Sequence, residues 1–173
     1  EHLMQLLFDK KRVVFHNAKF DLGFFEFHFG FKFPRFEDTM LLHYCIDEQP
    51  GTHGLKQLSL KYTDYGDYEK PMYDWIDNYR KANGILKDDF QWEMIPFDVM
   101  KNYAAMDAVC TFLLFEKFEK YCIDKPFYKV YKDILIPGCR FLRDIENNGV
   151  PFDVERLKES TQLMQKDIDS AVE

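Results

Sequence analysis

Two short spacings put a carboxylate where it could hold a hard cation. In Asn17-x-x-x-Asp21 the polar residues stand four apart, so on a helix they share one face. The preceding Val13-Val14-Phe15-His16 is apolar and β-branched and reads as a buried strand. It would deliver Asn17 and Asp21 to the carboxyl end of a sheet, where α/β sites gather. A carboxylate there suits a divalent ion such as Mg²⁺. The plainer reading, a helix cap and a solvated Asp, is the stronger one when the motif is taken alone. Tyr103-x-x-x-Asp107 repeats the spacing, with Asp107 set among Ala104, Ala105, Met106, Ala108 and Val109. Carboxylates are seldom buried unless paired or bound to metal. Small neighbours let a ligand come close, and Tyr103 could orient a water with its hydroxyl. An exposed Asp on a helix is the plain alternative. Asp38, in Phe36-Glu37-Asp38-Thr39, reads first as a helix cap, and His53, between Thr52 and Gly54, as a turn residue.

These residues need elements to hold them. Leu3, Leu6, Leu7 and Phe8 give residues 2–10 a helical spacing. Asn17 caps a helix that runs on through Phe25. Residues 30–38 alternate Phe31, Phe33 and Phe36 around Pro34, which suggests an extended segment and an edge strand. Residues 39–46 read as a helix capped by Asp38 or Thr39, and residues 55–62 as a second amphipathic helix. Residues 63–98, rich in Asp, Tyr, Lys and Gly, look like an insertion with a helical piece over 71–81. A helix over 98–121 carries Met100, Tyr103, Ala104, Val109, Phe112, Leu113 and Phe115 around much of its circumference, so wide burial is expected. Lys125-Pro126 breaks it. A helix over 127–146 ends at Asn147-Asn148-Gly149, and Asp153 caps a last, polar helix.

The chain has 173 residues, enough for one domain or for one and part of a second. With 23 Lys and Arg against 30 Asp and Glu, the net charge is −7. That excludes a polybasic nucleic-acid binder. It leaves open an enzyme whose acidic site meets phosphate through metal ions. Lys11, Arg12, Lys19, Lys32 and Lys56 could touch backbone phosphate, and a solvated surface role is at least as good for each. The cluster Phe20, Phe24, Phe25, Phe27, Phe29, Phe31, Phe33 and Phe36 reads as core rather than as a base-stacking surface. Cys45, Cys110, Cys122 and Cys139 form no CxxC pair and no zinc spacing. Reduced thiols in a cytoplasmic setting are expected. No apolar run nears the roughly 18 residues of a membrane span. The chain opens on Glu1 in mid-pattern and is read as a piece of something longer.

The order of the motifs carries a resemblance. Val14-Phe15-His16-Asn17-Ala18-Lys19-Phe20-Asp21 resembles the second exonuclease motif of family A DNA polymerases. Asp38-Thr39-Met40-Leu41-Leu42 and Gly51-Thr52-His53-Gly54-Leu55-Lys56-Gln57-Leu58 are similar to the segment that follows it. Tyr103-Ala104-Ala105-Met106-Asp107-Ala108 resembles the third motif, of the tyrosine-containing DEDD type. Residues 134–157, with Pro137, the Glu146–Val150 turn and Asp153, resemble the entry into the polymerase domain. Stand-alone DEDD nucleases such as ribonuclease D do not continue that way.

The resemblance implies an α/β, ribonuclease-H-like 3′–5′ exonuclease fold lacking its first strands and helix-rich in the part present. It implies an exonuclease domain over 1–125 and the start of the polymerase domain over 126–173. The chemistry implied is two-metal hydrolysis of 3′-terminal phosphodiesters with Mg²⁺ or Mn²⁺, the ions about 4 Å apart. Asp107 would ligate the first ion and Asp21 the second through water. Tyr103 would orient the attacking water, and Asn17 would hold the 3′-terminal nucleotide. The implied partner is DNA, as a single-stranded 3′ end or primer-template; no membrane is expected, and a monomer is. The family's first motif, an Asp-x-Glu, is absent before Asn17 and is expected upstream of Glu1. Asp144-Ile145-Glu146 and Asp153-Val154-Glu155 are decoys, the one on an amphipathic helix and the other a helix cap with a first-turn acid. Without the first motif the chain alone should be nearly inactive. A non-catalytic exonuclease-like scaffold in a polymerase, a DEDD-type RNA-processing exonuclease, and a helical interaction protein with chance motifs remain as other readings.

Overall fold

Val13, Val14 and Phe15 form strand β1, and Phe36, Glu37 and Asp38 form β2, paired in parallel with Val14 opposite Glu37. The computed structural model describes residue 9 and residues 11–172. The helix expected over 2–10 lies, apart from residue 9, outside the described residues. Because the strands are parallel, both carboxyl ends point the same way, and a helix leaves each. Helix α1 (Ala18–Phe29) follows β1, and α2 (Thr39–Tyr44) follows β2 directly. Then come α3 (Leu55–Tyr62), α4 (Lys70–Asn83), a 3₁₀ turn (Trp92–Met94) and the long α5 (Phe97–Cys122). Helix α6 (Pro126–Val130), a π-turn (Tyr131–Leu135) and α7 (Ile136–Asn148) run on without a break, and α8 (Val154–Val172) ends the chain.

The strand expected from residue 30 starts only at Phe36. Pro34 has no N–H for a ladder. The segment before Phe36 is held instead by Arg140, whose guanidinium donates to the carbonyls of Phe33 and Pro34. All three residues of β2 are buried. The helical expectations at 39–46, 55–62 and 98–121 are met by α2, α3 and α5, and Asp38 caps α2 by accepting from Met40 and Leu41 N–H. The piece expected over 71–81 is α4.

The main core lies between α5 and the elements beside it. Leu114, Phe115, Phe118 and Cys122 of α5 meet Leu42, Leu58 and Tyr131. Burial on α5 is one-sided, against the expectation of wide burial: Ala104, Val109 and Phe112 are exposed, because α2, α3, α4 and β1 all pack on the opposite face. A second cluster joins Ala18 and Leu22 of α1 to Phe33, Phe36 and Cys139. Here too an expectation fails. Phe20, Phe24 and Phe27 are 72%, 49% and 82% exposed. Ala18, Leu22 and Phe25 step by four and three along the inner face of α1, while Phe20, Phe24 and Phe27 take the same steps along the outer one. The helix has more rings than one face can bury. A third cluster, Met72, Ile76 and Ile95 with Trp75, Val99 and Tyr103 against it, fastens residues 63–98 to α5.

The π-turn precedes Pro137, whose ring removes a helical N–H, and the wider turn absorbs that break. It also leaves Tyr131 fully buried. The Tyr131 hydroxyl accepts from Asp38 N–H at 2.9 Å and donates to Glu37 Oε2 at 2.8 Å. Lys132 reaches Glu37 Oε1 at 2.5 Å. Gly149, at φ 71°, then ends α7 in a conformation that side chains disfavour. Among the described residues no helix is long and apolar enough to cross a membrane.

Tyr131→Phe removes one hydroxyl and leaves a buried N–H and a buried carboxylate oxygen without their partner. It should lower the unfolding free energy by about 2–3 kcal/mol in urea titration.

Candidate active site

The carboxyl ends of β1 and β2 meet at Asp38. Its Oδ1 accepts from the N–H groups of Asn17 (3.1 Å), Met40 (2.9 Å) and Leu41 (3.3 Å), and its Oδ2 from Ala18 (2.7 Å). Burial raises the Asp38 carboxyl above the usual range, and those four backbone bonds pull it back. Asn17 does not cap α1 as expected. Its backbone is left-handed (φ 64°, ψ 55°), its side chain makes no cap bond, and Asp38 serves the first N–H groups of the helix instead. Asn is among the few residues that tolerate this conformation. The outcome is an exposed Asn17 at the mouth of the strand ends.

Asp21 stands one turn into α1 and is half-buried. Burial raises its carboxyl first, and the charge of Asp38 adds to the effect. Among the described residues no cation contributes to its electrostatics. Asp107 stands differently. Lys56 of α3 forms an ion pair with its Oδ1. The Tyr68 hydroxyl donates to the same oxygen at 2.5 Å and accepts from Lys56 Nζ at 2.7 Å. The Lys56 ammonium lies 4.4 Å and 4.1 Å from the ring centres of Tyr68 and Tyr103, within cation–π range. Tyr103 is thus brought to the Asp107 side of the site. Burial, then the Asp107 charge, pushes its phenol up to about 12, and Tyr68 is pushed up by the same causes. Both hydroxyls therefore keep their protons at neutral pH.

His16 links the two sides. It immediately precedes Asn17, its Nδ1 is 2.8 Å from Thr39 Oγ1, and its charge couples to Asp107 and Lys56. His53 turns inward from its loop, with Nδ1 2.8 Å from His43 Nδ1. Lys56, Tyr68 and His16 escape a reading by motif because their partners are far along the chain. The Lys56–Asp107 pair spans 51 residues and Tyr68–Asp107 spans 39. A cation three residues beyond a Gly-Thr-His turn was the one available signal. Of the other basic residues considered for phosphate, Arg12 pairs with Glu119 and Glu37, Lys19 with Glu146, and Lys32 with Glu26. The two Asp-x-Glu decoys are occupied as a structural role requires: Glu146 binds Lys19, and Asp153 caps α8 through Arg156 N–H at 3.0 Å.

Among the described residues no three His, Cys, Asp or Glu side chains converge on a point that could hold a metal. The donor chemistry nonetheless fits a hard divalent cation. Asp21 and Asp107 offer carboxylate oxygens, and Asp21 is half-buried without a counter-charge.

A sequence profile described as 3′-5′ exonuclease matches residues 1–122. The chain is similar to the DNA polymerase of Escherichia phage T5, at 42% identity over 187 residues, covering 99% of this chain and 21% of that protein. It is similar to the DNA polymerase of Bacillus phage SP01 at 31% over 158 residues, covering 90% and 16%. With DNA polymerase I of Borreliella burgdorferi the identity is 26% over 147 residues, covering 85% and 15%. The chain therefore spans about a fifth or less of the length of these relatives. No solved structure matches it.

Burial drives the His16 imidazole down to about 4; the charges of His43 and Lys56 press the same way, and the His53 backbone and Asp107 oppose them. A neutral folded His16 means that the unfolded chain binds its proton first. Stability should therefore hold above about pH 6.5 and fall by up to about 3 kcal/mol as pH drops towards 4. Urea midpoints across that window should drop less steeply for His16→Gln.

Proposed function

The chain belongs to the 3′–5′ exonuclease family of the family A DNA polymerases, and from that premise we propose that it forms the proofreading site of a DNA polymerase, removing 3′-terminal nucleotides by hydrolysis. The observation that carries the reading is the pair of half-buried carboxylates, Asp21 beside the strand ends and Asp107 on α5, with Asp21 feeling the charge of Asp38 at those strand ends. The fold is read as ribonuclease-H-like, supported by two parallel strands with the site at their carboxyl ends. Residues 1–125 are assigned to the exonuclease and 126–173 to the start of the polymerase part. The exposure of α8 over residues 154–171 supports a further surface for it to meet.

Two Mg²⁺ or Mn²⁺ ions, when bound, activate water and stabilise the leaving 3′ oxygen. Asp107 and Asp21 would hold them, Asp21 through water. Tyr103, kept protonated by its surroundings, orients the attacking water by donating or accepting at its hydroxyl oxygen. Asn17, exposed at the strand ends, holds the terminal nucleotide. The substrate is DNA, either a single-stranded 3′ end or a frayed primer-template. The protein would act as a monomer in the bacterial or phage-infected cytoplasm.

The test is release of the terminal nucleotide from 3′-labelled single-stranded DNA in Mg²⁺ by the longest polypeptide that carries this sequence. Asp107→Ala and Asp21→Ala should each slow release by about 10³-fold or more, and Tyr103→Phe by about 10²-fold, with matched-primer extension unchanged. The 173-residue chain alone should release little, since no Asp-x-Glu precedes its Asn17. Release that survives Asp107→Ala would overturn the reading.

A further inference from the structure

The carboxylates of the proposed site differ in one respect. Asp21 has no cation near it among the described residues, whereas Asp107 already holds one. That cation is built in from three separate parts of the chain: Lys56 from α3, Tyr68 from the loop before α4, and Tyr103 one turn before Asp107 on α5. Tyr68 both steadies the ammonium and donates to the same carboxylate oxygen.

We propose that Lys56 is a positioning residue that sits in the metal's place on Asp107, so that a divalent ion enters by displacing its ammonium rather than by filling an open site. The inference rests on the metal-dependent reading above. Exchange is open to solvent, since the Lys56 and Asp107 side chains are 29% and 31% exposed. Displacement also has somewhere to go. Glu69 lies 4.0 Å from Lys56 Nζ, and the rings of Tyr68 and Tyr103 face it. An ammonium on a flexible stem can leave Asp107 for Glu69 while keeping its aromatic contacts. With Lys56 in place, Asp107 is neutralised and held in one orientation without metal. A divalent ion, with twice the charge, competes for the same oxygen.

The test is Mn²⁺ binding, without DNA, to the longest polypeptide that carries this sequence, read from the paramagnetic resonance signal of free Mn²⁺. Lys56→Met keeps the stem and removes the charge, and should tighten Mn²⁺ binding by about tenfold. Lys56→Arg keeps a cation and should stay near the parent. Asp107→Asn added to Lys56→Met should abolish the gain. Thermal melts check folding, and Lys56→Gln replaces Lys56→Met if the latter does not fold. If Lys56→Met leaves Mn²⁺ affinity unchanged or weaker while Asp107→Asn still reduces it, Lys56 is only structural and the metal reading stands. If Asp107→Asn changes nothing in either background, the metal reading fails and takes the displacement with it.

Discussion

Everything near the site hangs on one buried carboxylate. Asp38 collects the N–H groups that end β1, begin α1 and begin α2, and its own N–H goes to the Tyr131 hydroxyl. Backbone N–H groups in such a place must be paired, because each left unpaired costs about 1–3 kcal/mol. A carboxylate is the one side chain with acceptor capacity for four of them at once. The α1 turn is therefore defined from outside, by a residue on the neighbouring strand, and the left-handed Asn17 is the shape that this demands. Asp21, one turn further on, inherits its position from that junction.

The same logic decides what could be read in the chain. Asp38 as a cap, the bounds of α3, and the shared face of Tyr103 and Asp107 are local matters, set within four residues, and periodicity and capping chemistry reach them. Asn17 as its own cap was a local inference that a non-local bond replaced. The phenylalanines of α1 were misplaced because composition counts rings without saying which side of a helix they take. Lys56 and Tyr68 enter the site through contacts with the distant Asp107, and beyond the Gly-Thr-His turn before Lys56 nothing in the spacing of a single segment announces them; His16 stands within the Val14–Asp21 motif, but its contact with Thr39 is non-local. The four resembling motifs pointed to the family whose profile the chain matches, because order along the chain is itself non-local information.

The segment 63–98 lies against the candidate site. Its apolar cluster packs on α5, and a segment poor in aliphatic residues also supplies Tyr68, which bonds Asp107 and Lys56. The acidity of the chain also takes on structure. Arg12, Lys19, Lys32 and Lys56 each pair with a carboxylate of the same chain, so these four offer a polyanion less free charge than their places in the sequence suggest.

Tyr131 gives the structure a mechanical side. It lies on the continuous helical run from residue 126 to residue 148, whose far end packs on α1 and leads out to α8. The helix that leaves the fold and the strand ends that bear the site thus share a hydrogen bond. A tug on the outgoing helix would first meet α1, through Glu146 on Lys19, Asn147 on Glu26 and Arg143 on the Gly23 carbonyl, and only further back along the run would it reach Asp38 through Tyr131. The run is thus tied to the two halves of the strand-end junction at separate points, α7 to the helix that carries Asp21 and the π-turn to Asp38.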